Sequence, residues 1–403
     1  MSSTRVLVAG ASIAGPALAY WLRRRGAEVT VVERAPGLRP GGQAVDARGV
    51  AKEVIRRMGL DAAVRAACTE TVGAHMVDAD GNVLQTFSAD DEGGDGYISE
   101  IEILRGDLSR VLHDDTRDGV EYVFGDQIAE LAQDADGVDV AFAGGGRRRF
   151  DLVVGADGLH SSLRTMVFGP RERFVRHLGH VLAFYSVPNE FGLDRWMIEY
   201  QESGSGRSAL LRPIQDATRG MAMFSFPSAD FDVDYRDVAA QKRLLRERMA
   251  GLGWLAPRIL AHLDDTPDFY LDQVAQVVMD RWSSGRVGLL GDAAFSSSPL
   301  SGGGTGLALV GAYLLTGELA AAGWNPKAGF AGYEGRMRSF VAANQEIGRL
   351  HARSLDVPGP DAEPSLAPEE WPTELIERAI NGVELPDYAG VPDSRASGSR
   401  PRG

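Results

Sequence analysis

The stretch from Arg5 to Glu33, RVLVAGASIAGPALAYWLRRRGAEVTVVE, constrains the fold of this chain more than any other segment. The apolar run 6–9 has the character of a buried parallel strand, and it meets a turn of small residues at 10–15. Pro16 suits the first turn of the helix that follows. A second apolar run, 29–32, then ends in an acidic residue. The segment therefore predicts a β-α-β unit.

In such units the helix N-terminus binds a pyrophosphate, and the acidic residue accepts a hydrogen bond from a ribose hydroxyl. Ser12 stands where the G-x-G-x-x-G pattern places its second glycine. The segment alone leaves two alternatives open, a dinucleotide site and a packing turn of a parallel sheet, and it does not separate FAD from a nicotinamide nucleotide. The residues predicted to bind the nucleotide are Gly10, Ser12, Ile13, Ala14, Gly15, Glu33 and Arg34.

The composition excludes several classes of partner. At 403 residues the chain has room for two domains, or for one large domain with an inserted sheet. A net charge of −14 argues against nucleic acid or an anionic membrane as the main partner. Cys68 is the only cysteine and the histidines lack metal-ligand spacing, so we predict no disulfide and no metal. Without a secretory signal or a run of 18 apolar residues, a cytoplasmic location is expected.

Two later stretches repeat the theme of a strand that runs into a glycine-containing turn and a helix. The first, DLVVGADGLHSSLR at 151–164, carries Asp157 in its turn. The second, RVGLLGDAAFSSSPLSGGGTG at 286–306, carries Asp292 and then the triple glycine 302–304 before a long apolar helix. A triple glycine in this position exposes backbone N–H groups and the positive end of the helix dipole to a ligand.

Residues 171–278 differ in character, because strand-like runs predominate there. We interpret them as a mixed sheet inserted between two parts of the nucleotide-binding domain. Most of its aromatic and methionine side chains are expected in the core, but one face above a cofactor would form an apolar substrate pocket. The predicted strands are 181–187, 195–201, 208–213 and 221–226, and the predicted helices are 236–252 and 256–263. Candidate pocket residues are His177, Gln201, Arg212, Phe224 and, from the third stretch, Phe295.

The rest of the chain is predicted more coarsely. Residues 35–49 contain two prolines and four glycines and are expected to lack a regular element. Hairpin strands are predicted within 72–103, with turns at 80–82 and 93–94. Further helices are predicted at 49–60, 104–116, 304–322, 326–354 and 372–381, and further strands at 120–124, 128–131 and 138–142.

Taken together and in this order, GASIAG, DLVVGADGLHSSLR and GDAAFSSSPLSGGG resemble the three motifs of the single-component FAD-dependent aromatic monooxygenases, the p-hydroxybenzoate-hydroxylase-like class. The runs LRPGGQAVDARG and EILRGDL are similar to segments of the tetracycline-inactivating monooxygenases within that class. The resemblance covers roughly residues 5–350. It implies an α/β fold, with a Rossmann-like (GR2-type) FAD-binding domain, an inserted mixed β-sheet substrate domain and C-terminal helices.

The resemblance also implies ligands and a reaction. The chain would bind FAD, consume NADPH or NADH together with O₂, and hydroxylate an aromatic, phenolic or polycyclic substrate of the tetracycline or polyketide kind through a flavin C4a-hydroperoxide. Glu33 would bind the adenosine ribose, Arg39 would lie near the NADPH entry side, and Asp292 would hold the ribityl chain or pyrophosphate. The cofactor carries the chemistry, so no catalytic side chain is assigned. The other residues implied to bind the cofactor are Asp46, Arg105, Asp157, Gly291, Pro299, Gly302, Gly303 and Gly304.

By the same resemblance, residues 1–170 and 279–350 would form the FAD-binding domain, 171–278 the substrate domain, 351–387 a C-terminal helical segment and 388–403 a disordered tail. Two departures from the family's motifs lie near the flavin. Phe295 stands where a histidine is frequent after G-D-A-A, and Gly303 stands where P-x-x-G-Q-G places glutamine. Either is expected to alter the flavin's reactivity or the substrate fit.

Other functions remain open at this point. One is a different flavin chemistry on the same fold, namely a reductase, a dehydrogenase or a halogenase, although no W-x-W-x-I-P sequence supports the halogenase. Another is a non-catalytic protein that holds FAD and sequesters an aromatic compound. A hydrolase built on His160 and Ser161 is disfavoured because no G-x-S-x-G elbow is present. A monomer or a homodimer is expected.

Overall fold

The computed structural model describes residues 3–90, 95, 96, 98–228, 234, 236–355 and 371–388. The predicted turn at 93–94 and the predicted tail beyond residue 388 lie outside the described residues.

The strands are β1 (Arg5–Ala9), β2 (Glu28–Glu33), β3 (Ala44–Asp46), β4 (Gly73–Val77), β5 (Val83–Ser88), β6 (Glu102–Leu104), β7 (Glu121–Phe124), β8 (Ile128–Gln133), β9 (Val138–Phe142), β10 (Arg147–Phe150), β11 (Leu152–Gly155), β12 (Val175–Pro188), β13 (Trp196–Gln201), β14 (Ser208–Pro213), β15 (Arg219–Pro227), β16 (Tyr270–Val277), β17 (Ser283–Ser284) and β18 (Val287–Leu289). The α-helices are α1 (Ala14–Arg24), α2 (Val50–Met58), α3 (Asp61–Arg65), α4 (Arg105–Thr116), α5 (Ser162–Phe168), α6 (Val238–Arg248), α7 (Ala256–Ala261), α8 (Asp292–Phe295), α9 (Gly304–Ala321), α10 (Pro326–Leu355) and α11 (Thr373–Asn381).

The first sheet has six strands in the order β17-β18-β11-β1-β2-β7, and all but β17 run parallel. Its central strands β1 and β11 are almost wholly apolar and buried, as is usual for parallel sheets covered on both faces. The register pairs Ala9 with Gly155 and Gly155 with Leu289. The three glycine-containing turns of the sequence therefore leave neighbouring strands at one edge of this sheet, where ligands of open α/β sheets bind.

The second sheet has seven strands in the order β16-β12-β15-β14-β13-β4-β5. One face packs on α6 and α7 through a core that includes Tyr185, Phe224, Leu245 and Ile259. Because side chains alternate between the faces of a strand, the neighbours of these residues lie on the opposite face, which looks toward the first sheet. A three-stranded sheet, β10-β9-β8, and a two-stranded sheet, β3-β6, complete the fold.

Three of the differences from the sequence predictions concern the pairing of strands. Residues 44–46, expected to lie in an irregular loop, form β3 because β6 supplies a partner strand from more than fifty residues away. Strand β16 was missed, since polar residues interrupt its apolar pattern. The 73–88 hairpin, assigned to the nucleotide-binding part, joins the second sheet through parallel pairing of β4 with β13. Each difference depends on a partner strand that is distant in sequence.

Helix α9 is the one helix among the described residues that is long and apolar enough to cross a membrane. Of its 18 residues, 72% are buried inside the protein. It packs against α1, α2 and α10, so its apolar surface is explained by these neighbours.

Cys68 provides a test of the core. Its side chain is 8% exposed and Sγ donates to the carbonyl of Val64 at 3.4 Å. Burial raises the pKa of the thiol to about 11. At pH 8 the thiolate fraction is then on the order of 10⁻³, so we expect the native protein to resist alkylation by iodoacetamide. Mass spectrometry should find one adduct after denaturation; rapid labelling of the native protein would contradict this placement.

Candidate functional site

A cavity of about 1740 Å³ lies between the two sheets. It exceeds the range of about 300–1,000 Å³ usual for small-ligand pockets, so it has space for a dinucleotide and a second molecule. All three glycine-containing turns contribute to its wall. The predicted cofactor residues that line it are Gly10, Ser12, Ile13, Ala14, Glu33, Arg34, Arg39, Asp46, Arg105, Asp157, Asp292, Pro299, Gly302, Gly303 and Gly304. Gly15 and Gly291 lie behind the wall, where they shape the turns.

The first turn requires its two glycines for steric reasons. Gly10 has φ +108°, and a Cβ added there would lie 2.4 Å from the carbonyl oxygen of Ala156. A Cβ on Gly15 would lie 1.8 Å from the carbonyl oxygen of Gly10. The glycines thus let β1 and α1 approach each other and the turn after β11, which leaves the N-terminus of α1 facing the cavity.

Glu33 and Arg105 hold the same turn from the cavity side. The Glu33 carboxylate accepts hydrogen bonds from the backbone N–H groups of Ala11 and Ala35, both at 2.9 Å. Arg105 Nη1 donates to Ser12 Oγ at 3.0 Å, so the residue that departs from the glycine pattern supplies an acceptor.

Arg105 has the character of an anion-binding residue. Burial, followed by repulsion from Arg39, lowers the pKa of its guanidinium. Within the described part of the chain it forms no ion pair with a carboxylate. A cation held in this way at a helix N-terminus suits a diphosphate, which satisfies one requirement for FAD.

Asp157 and Arg164 join the second and third turns. The Asp157 carboxylate accepts from the Ser162 and Leu163 N–H groups and from the Ser161 hydroxyl, so it caps α5. Arg164 is fully buried and donates to the carbonyls of Leu159 and Ala293 at 2.7 and 2.9 Å. Burial lowers its pKa to about 10. Asp157 therefore acts on the cavity through the backbone that it orders, and Arg164 ties that backbone to α8.

Asp292 is the first residue of α8, and its exposed surface lines the cavity. Desolvation by the surrounding protein raises the pKa of its carboxyl, against the opposing effects of a hydrogen bond with Ser296 and the charge of Arg164. A carboxylate held in this way favours a ligand that offers hydroxyl donors, as a ribityl chain does.

Four charged side chains form a cluster at the junction of the cavity with the second sheet: Asp46, Arg48, Glu102 and Arg212. Arg48 pairs with Asp46 at 3.1 Å, and Arg212 pairs with Glu102 at 3.0 Å. Asp46 lies opposite Glu102 in the β3-β6 register. Burial raises the pKa of Asp46. Burial also acts to raise the pKa of Glu102, but the charge of Arg212 and the hydrogen bonds from two threonine hydroxyls together outweigh it, so this pKa is lowered.

The contacts within this cluster determine the position of the Arg212 guanidinium. Glu102 is 5% exposed, and its Oε1 accepts from the hydroxyls of Thr69 and Thr71 at 2.6 and 2.7 Å. The other carboxylate oxygen of Glu102, Oε2, pairs with Nη1 of Arg212. The second terminal nitrogen of Arg212, Nη2, lies 3.1 Å from the sulfur of Met197, which is only a weak acceptor. The guanidinium therefore retains donor capacity at the cavity wall. Sequence reasoning missed Glu102, although it lies at the start of EILRGDL.

Two of the five predicted pocket residues, Gln201 and Arg212, line the cavity, and three do not. Phe224 is fully buried on the helix-covered face of the second sheet, so its placement in the pocket was wrong. The residues of that sheet that face the cavity include Leu182, Phe184, Leu210, Met223 and Ser225. They alternate with the core residues, and sequence alone did not determine which set faced the cofactor.

His177 and Phe295 are likewise displaced from the pocket. His177 lies at an irregularity of the β12-β16 ladder, and its two ring nitrogens are 3.1 and 2.6 Å from the carbonyl oxygens of Val274 and Ser228. Phe295 is 1% exposed and packs against Trp282, with ring centroids 4.6 Å apart. The departure at Phe295 is therefore a change in the core behind the cavity.

His160, from the second turn, meets a residue of the missed strand. His160 Nε2 lies 2.5 Å from Asp272 Oδ2, and the Tyr270 hydroxyl donates to the same oxygen at 2.9 Å. All three side chains line the cavity. Ser161 is occupied by Asp157 and by the N–H of Arg164, so it forms no dyad with this histidine. In the described part of the chain no cluster of three or more potential ligands is placed to hold a metal ion.

The fold and the cavity define a nucleotide-binding α/β protein with the donors and space for FAD. The chain matches the family model described as an FAD binding domain over residues 3–346, and it belongs to this family. A flavin-dependent monooxygenase of Legionella longbeachae is 37% identical over 386 residues, which cover 95% of this chain and 98% of that protein. An uncharacterized protein of Mycobacterium tuberculosis is 45% identical over 384 residues, 95% of this chain and 99% of that one.

Among solved structures, tetracycline destructase Tet(51) superposes with a TM-score of 0.84 at 35% identity, covering 96% of this chain and all of that one. Tet(55) gives 0.83 at 36% identity, covering 96% and 99%. The chain is therefore a member of the FAD-dependent monooxygenase family with the fold of the tetracycline destructases. The fold class and the family resemblance predicted from the sequence are confirmed.

Proposed function

We propose that this protein hydroxylates a bulky aromatic or polycyclic substrate at the expense of NAD(P)H and O₂. The balanced reaction converts substrate C–H, O₂, NAD(P)H and a proton into substrate C–OH, water and NAD(P)⁺. Bound FAD would supply the electron transfer and the activation of oxygen. The chain itself would bind and orient both molecules and exclude water from the reacting carbon.

The observation that carries this proposal is the division of the cavity into two ends. The end at the first sheet presents helix N-termini, Arg105 and Asp292, which suit the diphosphate and hydroxyl groups of FAD. The end below the second sheet presents apolar side chains interspersed with polar ones. The apolar ones include Leu182, Phe184, Leu210 and Met223, and the polar ones include Gln85, Glu199, Gln201 and Arg212. Apolar surface interspersed with hydrogen-bonding groups suits a large planar substrate that carries hydroxyl or enol groups. The resemblance to tetracycline destructases supports the same substrate class.

The reaction is tested by measuring oxygen uptake and NADPH oxidation with tetracyclines, anthraquinones and simple phenols, with NADH as the second reductant. We expect stimulation by a polycyclic phenol or enol and a product heavier by one oxygen in mass spectrometry. Flavin reduction without an oxygenated product would favour a reductase or dehydrogenase. If NADPH fails to bleach the flavin with any ligand bound, the non-catalytic alternative is favoured. A response only to small aliphatic ketones would contradict the substrate class.

The domain boundaries, a cytoplasmic location, a monomeric or dimeric state, and a small molecule as the main partner remain predictions from the sequence.

In this proposal Arg34 and Arg39, both exposed at the rim of the cavity, are the cations nearest to an incoming NADPH. Asp46 and Arg48 would lie between the cofactor and the substrate.

A further inference from the structure

The departure at Gly303 has a structural counterpart on another helix. Asn344, on α10, is 2% exposed and borders the cavity. Its Nδ2 donates to the carbonyl of Phe340 at 3.0 Å and to the carbonyl of Ala379, on α11, at 2.9 Å. Two carbonyl acceptors around one end of the amide identify that end as the nitrogen. The amide oxygen, Oδ1, must therefore face the other way, toward Gly303.

Asn344 is the reason why residue 303 is glycine. Gly303 has φ −93°, a backbone conformation open to any residue. A Cβ added there would lie 1.7 Å from Asn344 Oδ1. The side chain of Asn344 cannot easily withdraw, because it is buried and its nitrogen is bonded to two carbonyls. The asparagine thus occupies the space beside the turn that a longer side chain at position 303 would take.

Asn344 Oδ1 is an acceptor with no hydrogen-bond donor among the described residues. The residue is 2% exposed and lies on the cavity wall, so a ligand in the cavity that donates to Oδ1 would satisfy an acceptor that the protein leaves open. The neighbouring groups are the N–H groups in the first turn of α9, Gly304 to Gly306, which lack intrahelical acceptors. The turn therefore presents one acceptor beside several donors at the cavity wall.

We propose that Asn344 binds the cofactor, with Oδ1 accepting a hydrogen bond from N3–H of the flavin pyrimidine ring. That ring edge carries a single donor, N3–H, between two carbonyl acceptors, which is the complement of one acceptor beside backbone donors. The same amide bonds α11, so the C-terminal helix is tied to the flavin site through one side chain. The inference rests on the proposed function only in requiring that the protein bind FAD.

The test compares FAD with N3-methyl-FAD, which lacks the donor. Apoprotein is titrated with each, and binding is followed by quenching of flavin fluorescence. The wild-type protein is expected to bind FAD at least tenfold more tightly than N3-methyl-FAD, because the methyl group removes the hydrogen bond and meets Oδ1. In Asn344→Ala this preference should fall to less than threefold, since the acceptor is gone and space is gained. FAD affinity itself should fall roughly three- to tenfold.

Gly303→Ala is the second variant, because its added carbon displaces Oδ1 while Asn344 remains. It should lose the same preference, whereas Gly335→Ala, on α10 with no atom within 4 Å of the added carbon, should retain it. Equal binding of both flavins by the wild-type protein, or an unchanged preference in Asn344→Ala, overturns the inference. Failure to bind either flavin overturns the proposed function as well. Binding with the expected preference but without turnover leaves this inference standing and rejects the monooxygenase.

Discussion

Asp292→Asn is expected to weaken FAD binding by roughly 10- to 150-fold while the apoprotein becomes more stable. The loss corresponds to the about 1.5–3 kcal/mol of a hydrogen bond to a charged group. The gain in stability follows from desolvation, which raises the pKa of Asp292 in the folded state. A neutral amide avoids the desolvation of the ionised carboxylate, and the gain is expected to be small because Asp292 is exposed to the cavity in the apoprotein. The measurements are flavin titration of apoprotein and thermal unfolding of apoprotein.

The sign of the pH dependence makes this prediction specific. A carboxyl whose folded-state pKa lies above its unfolded value favours folding at low pH, and that contribution is lost as the pH rises through the folded pKa. The stability advantage of Asp292→Asn should therefore be present above the folded-state pKa and disappear as the pH falls below about 4, the unfolded value. Asp118→Asn, an exposed acid, is the control and should change neither quantity. Unchanged FAD affinity in Asp292→Asn would refute the ligand role.

Arg212→Met is expected to impair both folding stability and substrate binding. Its removal leaves the Glu102 carboxylate buried without its cation, and breaking a buried pair in this way costs about 3–5 kcal/mol. Substrate KM should rise at least tenfold, because the substrate end of the cavity loses the guanidinium donor of Arg212. Urea unfolding and steady-state kinetics measure the two effects separately.

A compensating variant distinguishes these two roles. Glu102→Gln combined with Arg212→Met removes the orphaned charge, so stability should largely return while KM stays high. Arg147→Met breaks an ion pair with Glu130 whose side chains are both about three-quarters exposed, and it should cost less than about 1 kcal/mol. If KM recovers together with stability in the double variant, Arg212 has only a structural role.

The nucleotide-binding part was predictable in detail because its signals are local. Turns of small residues after apolar runs determine where β1, β11 and β18 end, and these ends meet in the structure at one sheet edge. The substrate side was not predictable to the same degree. Phe224 and Met223 are adjacent and equally apolar, yet one packs on helices and the other faces the cavity. Only the packing of α6 and α7 decides between them.

The sequence by itself determined the fold class, the family and the position of the three turns that surround the cofactor cavity, because each depends on residues close together in the chain. The tertiary structure alone decided which residues share that cavity. It brought Glu102 to Arg212, Asp272 to His160 and Asn344 to Gly303, in each case across 40 or more residues. Such contacts follow from the pairing of distant strands and the packing of α10, for which a single sequence carries no local signal.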